Sequence, residues 1–215
     1  MSKINRRTLL GAGASLAGAA AMTAPGSPSA TATATATSSP SDPANPYLFD
    51  LAGTTPATFD GGNLRGANEE NFKVLKDQKS ATYLIEIEVG GIREPHWHPS
   101  AWESTFIISG QSKWSILGTH PDGKYRNLQF TAGPGELVFI PEGFFHYFEN
   151  ASDSEPLKVL VNFNNSTPEP NDDLGIVASI ASLPDDVLDT VFGVPAGSFS
   201  KIPKKLEPVT ITKRK

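Results

Sequence analysis

Tyr83-Leu84-Ile85-Glu86-Ile87-Glu88-Val89-Gly90-Gly91-Ile92-Arg93-Glu94-Pro95-His96-Trp97-His98-Pro99-Ser100-Ala101-Trp102-Glu103 is the stretch whose reading decides the fold. Its first half alternates. Tyr83, Ile85, Ile87 and Val89 fall on one side and Leu84, Glu86 and Glu88 on the other, the period of a strand with one face in a core. Gly90-Gly91 ends that strand. In the next run His96 and His98 are two residues apart, so on a strand both imidazoles leave the same face and can address one ion. A turn at Pro99-Ser100-Ala101 brings Glu103 back beside them.

Outward from this stretch the pattern repeats. Short apolar-polar runs cover residues 104–109, 112–117, 124–131, 136–140, 145–150 and 157–163. Turn sequences separate them, among them Gly110-Gln111, His120-Pro121-Asp122-Gly123, Gly133-Pro134-Gly135 and Pro141-Glu142-Gly143. Short strands at this spacing predict an all-β sandwich or barrel, and closing the sheet removes its exposed edges. The chain changes character afterwards. Residues 174–182 and 184–192 read as two short helices, with Pro184, Asp185 and Asp186 at the start of the second and Gly193 at its stop. Leu183, Val187, Leu188 and Val191 give that segment an apolar face for the barrel or for a neighbouring subunit. Residues 204–215 read as a basic tail.

The 215 residues carry a net charge of −5, which lacks the basic footprint of a nucleic-acid partner. The absence of cysteine removes disulfides, thiolate metal sites and thiol nucleophiles. Nineteen glycines and 18 prolines favour turns over long helices. Residues 1–30 read as an export signal: Lys3, Arg6 and Arg7 precede a weakly apolar run from 9 to 22 that is too short to span a membrane comfortably. Arg6-Arg7 followed by Thr8-Leu9-Leu10 resembles a twin-arginine signal, which exports a domain already folded and metal-loaded. An ordinary secretory signal is the plainer reading. Either places the mature protein outside the cytoplasm and leaves no membrane anchor once the signal is removed. Residues 31–45 form a linker of Ala, Thr, Ser and Pro that cannot build a core.

Three of only four histidines fall at ligand spacing, with a carboxylate in register: His96, His98, Glu103 and, far along the chain, His146. Three imidazoles and one carboxylate suit Mn²⁺, Fe²⁺ or Zn²⁺. The missing thiolates lean away from a structural zinc site. His120, in a turn, reads as solvated.

Gly90-(five residues)-His96-Trp97-His98-(four residues)-Glu103-(six residues)-Gly110 resembles the first motif of the cupin family, and Gly135-(five residues)-Pro141-Glu142-Gly143-(two residues)-His146-(three residues)-Asn150 resembles the second. The run from Gly91 to Pro99 resembles the oxalate decarboxylase branch, whose members carry two such domains where this chain has one. The resemblance covers about residues 47–201. It implies a jelly-roll β-barrel over residues 46–168, followed by a helical segment over 169–203.

It also implies a Mn²⁺ enzyme acting on oxalate or another small carboxylate, with O₂ as helper. In it Arg93 would contact the substrate carboxylate. Strand parity puts Arg93 opposite His96, so a bulge or a kink at Pro95 is needed to turn it inward; otherwise it is a surface or salt-bridging arginine. Phe144 and Phe148 would supply apolar walls. A decarboxylase of this branch takes a proton from a lid glutamate after the last barrel strand. Here that stretch is residues 164–173; its pattern is not reproduced, and Glu169, then Asp172, are the substitutes. A solvated acidic loop is the alternative. The competing functions are oxalate oxidase or another metal-dependent oxygenase, and a binding protein without turnover. The resemblance further implies a homo-oligomer with residues 174–192 at a contact.

Overall fold

The computed structural model describes residues 45–204 and 206–215. The expected export signal and all but the last residue of the linker lie outside them. Twelve strands are present among the described residues: β1 (Ala57–Phe59), β2 (Gly62–Ala67), β3 (Ala81–Ile87), β4 (Gly91–Trp97), β5 (Glu103–Ser109), β6 (Ser112–Thr119), β7 (Tyr125–Ala132), β8 (Leu137–Ile140), β9 (Phe145–Asn150), β10 (Leu157–Phe163), β11 (Leu174–Gly175) and β12 (Ile211–Lys213). Two helices follow β11: α1 (Ile176–Ala181) and α2 (Asp185–Phe192). No helix among the described residues is long and apolar enough to cross a membrane.

The strands form two antiparallel sheets, the all-β jelly roll implied by the resemblance. One sheet has the order β1-β2-β3-β10-β5-β8; the other runs β11-β4-β9-β6-β7, with β12 also on β4. Alternation explains the layering. In β3, residues 81, 83, 85 and 87 are buried and those between them are not. Strand β10 repeats the pattern with Leu157, Val159, Val161 and Phe163 inward. These faces meet Trp114 and Phe148 of the opposite sheet, which stack with centroids 4.5 Å apart. Burial of each such side chain is worth about 1.5–3 kcal/mol, so the two facing layers hold the sheets together.

Three features depart from the sequence reading. Residues 211–213 of the expected basic tail form strand β12, whose Ile211 is fully buried in the core. Of the four residues assigned to the apolar helical face, only Leu188 is buried; Leu183, Val187 and Val191 are exposed, so of the two expected partners the barrel does not cover this face. His120 is buried rather than solvated, with its ring edge-on to Phe144 and its Nε2 3.2 Å from the carbonyl of Arg126.

Candidate metal centre

Strand β4 places the histidines, and its irregularity brings in the arginine. Its pairing with β9 shifts register between Arg93 and His96. Arg93 and Glu94 are consequently buried in succession, and the alternation resumes with His96 and His98 inward. A bulge thus cancels the parity that sets Arg93 opposite the histidines. His96 pairs directly with His146 across β4 and β9. Glu103 comes from β5 in the other sheet, so the cluster bridges the two layers.

The four side chains are almost inaccessible: His96 is 1% exposed, His98 3%, Glu103 2% and His146 0%. One ligand atom from each lies within 4.8 Å of the others. The tautomers follow from the outer nitrogens. His96 Nδ1 lies 2.6 Å from the Glu94 carbonyl and His146 Nδ1 lies 2.9 Å from the Phe144 carbonyl. A carbonyl accepts only, so each Nδ1 carries a proton and each Nε2 is the atom left to face inward. Nε2 of His96 is buried without a hydrogen-bond partner. Nε2 of His146 and of His98 stand 3.1 and 3.2 Å from one carboxylate oxygen, Oε2 of Glu103. The other Glu103 oxygen accepts from Thr105 Oγ1 at 2.5 Å. Ring nitrogens converging on a carboxylate oxygen in a buried space mark a position for a cation, and this donor set fits a divalent ion of the Mn²⁺, Fe²⁺ or Zn²⁺ type.

Charge is distributed accordingly. Burial, aided by His146, Arg93 and His98, holds His96 well below its usual pKa, so it is neutral. Burial disfavours ionised Glu103, but its contacts with His146 and His98 prevail and keep it a carboxylate. Burial likewise opposes charge on His98. Its bonds to Asp173 and Glu103 outweigh that and push it up to about 10, so a proton holds the place between His98 and Glu103 when no ion does.

Beside the cluster lies a second layer. Arg93 is fully buried, donating to the Val209 carbonyl at 3.1 Å, to Asp173 Oδ2 at 2.8 Å and to Glu169 Oε1. Glu169 is therefore no solvated loop residue. It is 5% exposed, its Oε2 has no partner, and a carboxylate oxygen of Glu169 and of Asp173 lies within 4.8 Å of a His96 ring nitrogen. Burial raises Glu169, Arg93 opposes this, and Asp173 adds to it, giving a pKa of about 7. The structure does not bring Asp172 to this cluster; its carboxylate accepts from the Ser100 hydroxyl at 2.7 Å and the Ser100 amide at 3.3 Å, nearer the surface. The adjacent Asp173, which sequence reasoning missed, reaches His98 Nδ1 at 2.7 Å. The signal for it was chemical: a metal-facing imidazole needs an acceptor on its other nitrogen. A cavity of about 10 Å³ separates His98 from the surface, bordered by Ala101, Phe163, Asn165, Thr167, Glu169 and Asp172.

A twelve-stranded jelly roll with this cluster across its two sheets defines a cupin, and the family profile described as Cupin matches residues 50–196: the chain belongs to that family. Among its relatives, the oxalate decarboxylase of Bacillus subtilis is 35% identical over 120 residues, which cover 56% of this chain and 29% of that protein. Germin-like protein subfamily 2 member 4 of Arabidopsis thaliana is 28% identical over 151 residues, 69% of this chain and 66% of that one. A solved structure concerned with the Mn(II) centres of the Bacillus subtilis oxalate decarboxylase superposes with a TM-score of 0.63 at 28% identity, over 78% of this chain and 41% of the other. The chain thus spans less than a third of the first of these relatives and about two thirds of the second.

Proposed function

We propose that this chain is an exported, Mn²⁺-dependent cupin that decarboxylates oxalate or a similar small carboxylate. The observation that carries the reading is the placement of Glu169: a buried carboxyl with one free oxygen, on Arg93 and beside His96, where a decarboxylase needs an acid. Its likeness to decarboxylases supports the substrate class.

His96, His98, Glu103 and His146 would hold the ion, which supplies a Lewis-acidic seat for a carboxylate oxygen and a one-electron partner for O₂ chemistry. The chain's own groups do the rest. Arg93 presents a guanidinium to the second carboxylate of the substrate, with its other edge already tied to Val209. Loss of CO₂ leaves a formyl carbon that needs a proton, and protonated Glu169 delivers it, so that oxalate plus one proton becomes formate plus CO₂. Phe163 and Ala101 keep bulk water away from that carbon. The cavity is too small for oxalate, so residues 164–173 must open to admit it. They are fastened by polar bonds that can exchange with water: Glu169 N–H to Tyr83 Oη at 2.6 Å, Trp102 N–H to Asn164 at 2.8 Å and Ser166 Oγ to Glu69 at 2.6 Å.

By sequence a germin-like protein matches 69% of this chain against 56% for the Bacillus subtilis decarboxylase, which keeps oxidation as the second reading. Mn-loaded protein incubated with oxalate separates the two. Formate without peroxide supports decarboxylation, peroxide with CO₂ supports oxidation, and neither product would leave a binding protein.

A further inference from the structure

Strand β12 lies beyond the residues matched by the family profile, yet it touches the site. Ile211, Thr212 and Lys213 pair with Arg93, Ile92 and Gly91 of β4. The backbone N–H of Glu94 donates to the Thr210 carbonyl at 3.0 Å. The Glu94 carboxylate, itself buried, accepts from Thr210 N–H at 3.1 Å and, on its other oxygen, from Val177 N–H at 3.0 Å in the first turn of α1. The chain is shaped to receive the strand. Gly61 N–H donates to the Ile211 carbonyl at 3.0 Å, and a Cβ at Gly61 would stand 2.2 Å from the Thr212 carbonyl oxygen, so only glycine lets β12 pass. Beyond the strand, Arg214 is paired with Glu149.

We infer that β12 is a positioning element of the site: the main-chain carbonyl of Val209, held in place by Ile211 and Glu94, fixes the Arg93 guanidinium so that the edge released by Glu169 and Asp173 faces the substrate. This rests on the reading of Arg93 as the carboxylate-binding group. The reasoning is steric and electrostatic. Arg93 is a long side chain in a bulged strand, where neither regular pairing nor apolar packing sets the direction of its charged end. Of its three recorded acceptors, two are on the lid segment and must let go when substrate enters. The Val209 carbonyl is the one that stays. Without it the guanidinium would be held only by groups that leave.

The test uses the whole chain loaded with Mn²⁺. Ile211→Ala loosens β12, Ile211→Val is its conservative counterpart, and Thr210→Pro removes the N–H held by Glu94 should the first variant fold poorly. Leu157→Ala, in the other sheet, is a control for loss of stability alone. Oxalate binding by calorimetry, with KM and kcat alongside, is expected to weaken by about tenfold or more in Ile211→Ala and Thr210→Pro. Ile211→Val restores it, metal content is unchanged, and the rise falls on KM rather than kcat. Leu157→Ala lowers the melting temperature and leaves KM alone. Oxalate affinity in both β12 variants within about twofold of the parent chain overturns the inference. If the parent chain binds no oxalate, the functional reading fails instead. The positioning claim is then read by nitrogen-15 NMR of the Arg93 guanidinium protons: slow exchange in the parent and faster exchange in Ile211→Ala uphold it, and equal exchange overturns it.

Discussion

Asp173 Oδ1 lies 2.7 Å from Nδ1 of His98, while its other oxygen accepts from Arg93 at 2.8 Å. One carboxylate therefore ties the His98 imidazole to the neighbouring Arg93 guanidinium, linking the candidate metal cluster to the arginine beside it.

Asp173→Asn should disturb both. An amide placed there holds the His98 ring less firmly and no longer favours its Nδ1–H tautomer, so metal affinity should fall by roughly 10- to 100-fold. Competitive metal titration checks this. Asp172→Asn, one residue away but directed at Ser100, should leave metal affinity close to that of the parent chain.

Metal uptake should release a proton. In the metal-free chain His98 titrates at about 10, raised above the usual 6.5. Its charged form therefore stabilises the metal-free fold fully below pH 6.5, and that contribution disappears as pH rises through about 10. An ion must displace the same proton, so apparent metal affinity should climb with pH across this window, by about one decade per unit for one proton. Calorimetry in buffers of different ionisation enthalpy counts the protons. An affinity independent of pH would speak against the His98–Glu103 proton.

Glu169→Gln should keep the metal and lose the acid. Formate production is expected to drop by roughly 100- to 10,000-fold. On the proposed mechanism the acid form of Glu169 is the working one, so activity should decline as pH rises through about 7. That inflection should vanish from the residual activity of the variant. Unaltered formate yield would remove Glu169 from the mechanism.

Val177, Leu183, Val187, Val191 and Phe192 leave an apolar surface on α1, α2 and the turn between them uncovered. Such a patch is covered in an assembly more often than left to solvent. Light scattering after size exclusion should give a dimer or larger species, and Val191→Asp with Phe192→Ser should shift it towards monomer. A parent chain that is already monomeric contradicts this.

The barrel and the cluster of candidate ligands were legible because both are written locally. Strands β9 and β10 match the expected runs residue for residue, since a two-residue period needs no knowledge of the partner strand. The convergence of His96, His98, Glu103 and His146 was likewise readable from spacing. What failed to show depends on pairing across the chain. The bulge at Arg93 exists only because β4 meets β9 out of register, and alternation within β4 cannot report it. Asp172 and Asp173 are indistinguishable in sequence; the turn at Glu169–Asn171 decides which one faces inward. Strand β12 is only three residues, Ile211-Thr212-Lys213, followed by Arg214 and Lys215, and its slot between Gly61 and β4 comes from residues more than a hundred positions earlier. The helical face was half right, because its period was clear while its partner was not.

The most direct measurement is the metal content of the whole chain, purified after expression with added Mn²⁺, beside its His98→Ala variant. About one ion per chain is predicted for the parent, with a melting temperature that falls on chelation, and little or no metal in the variant. A parent chain that takes up no divalent ion, or a His98→Ala chain that retains it undiminished, would contradict the account.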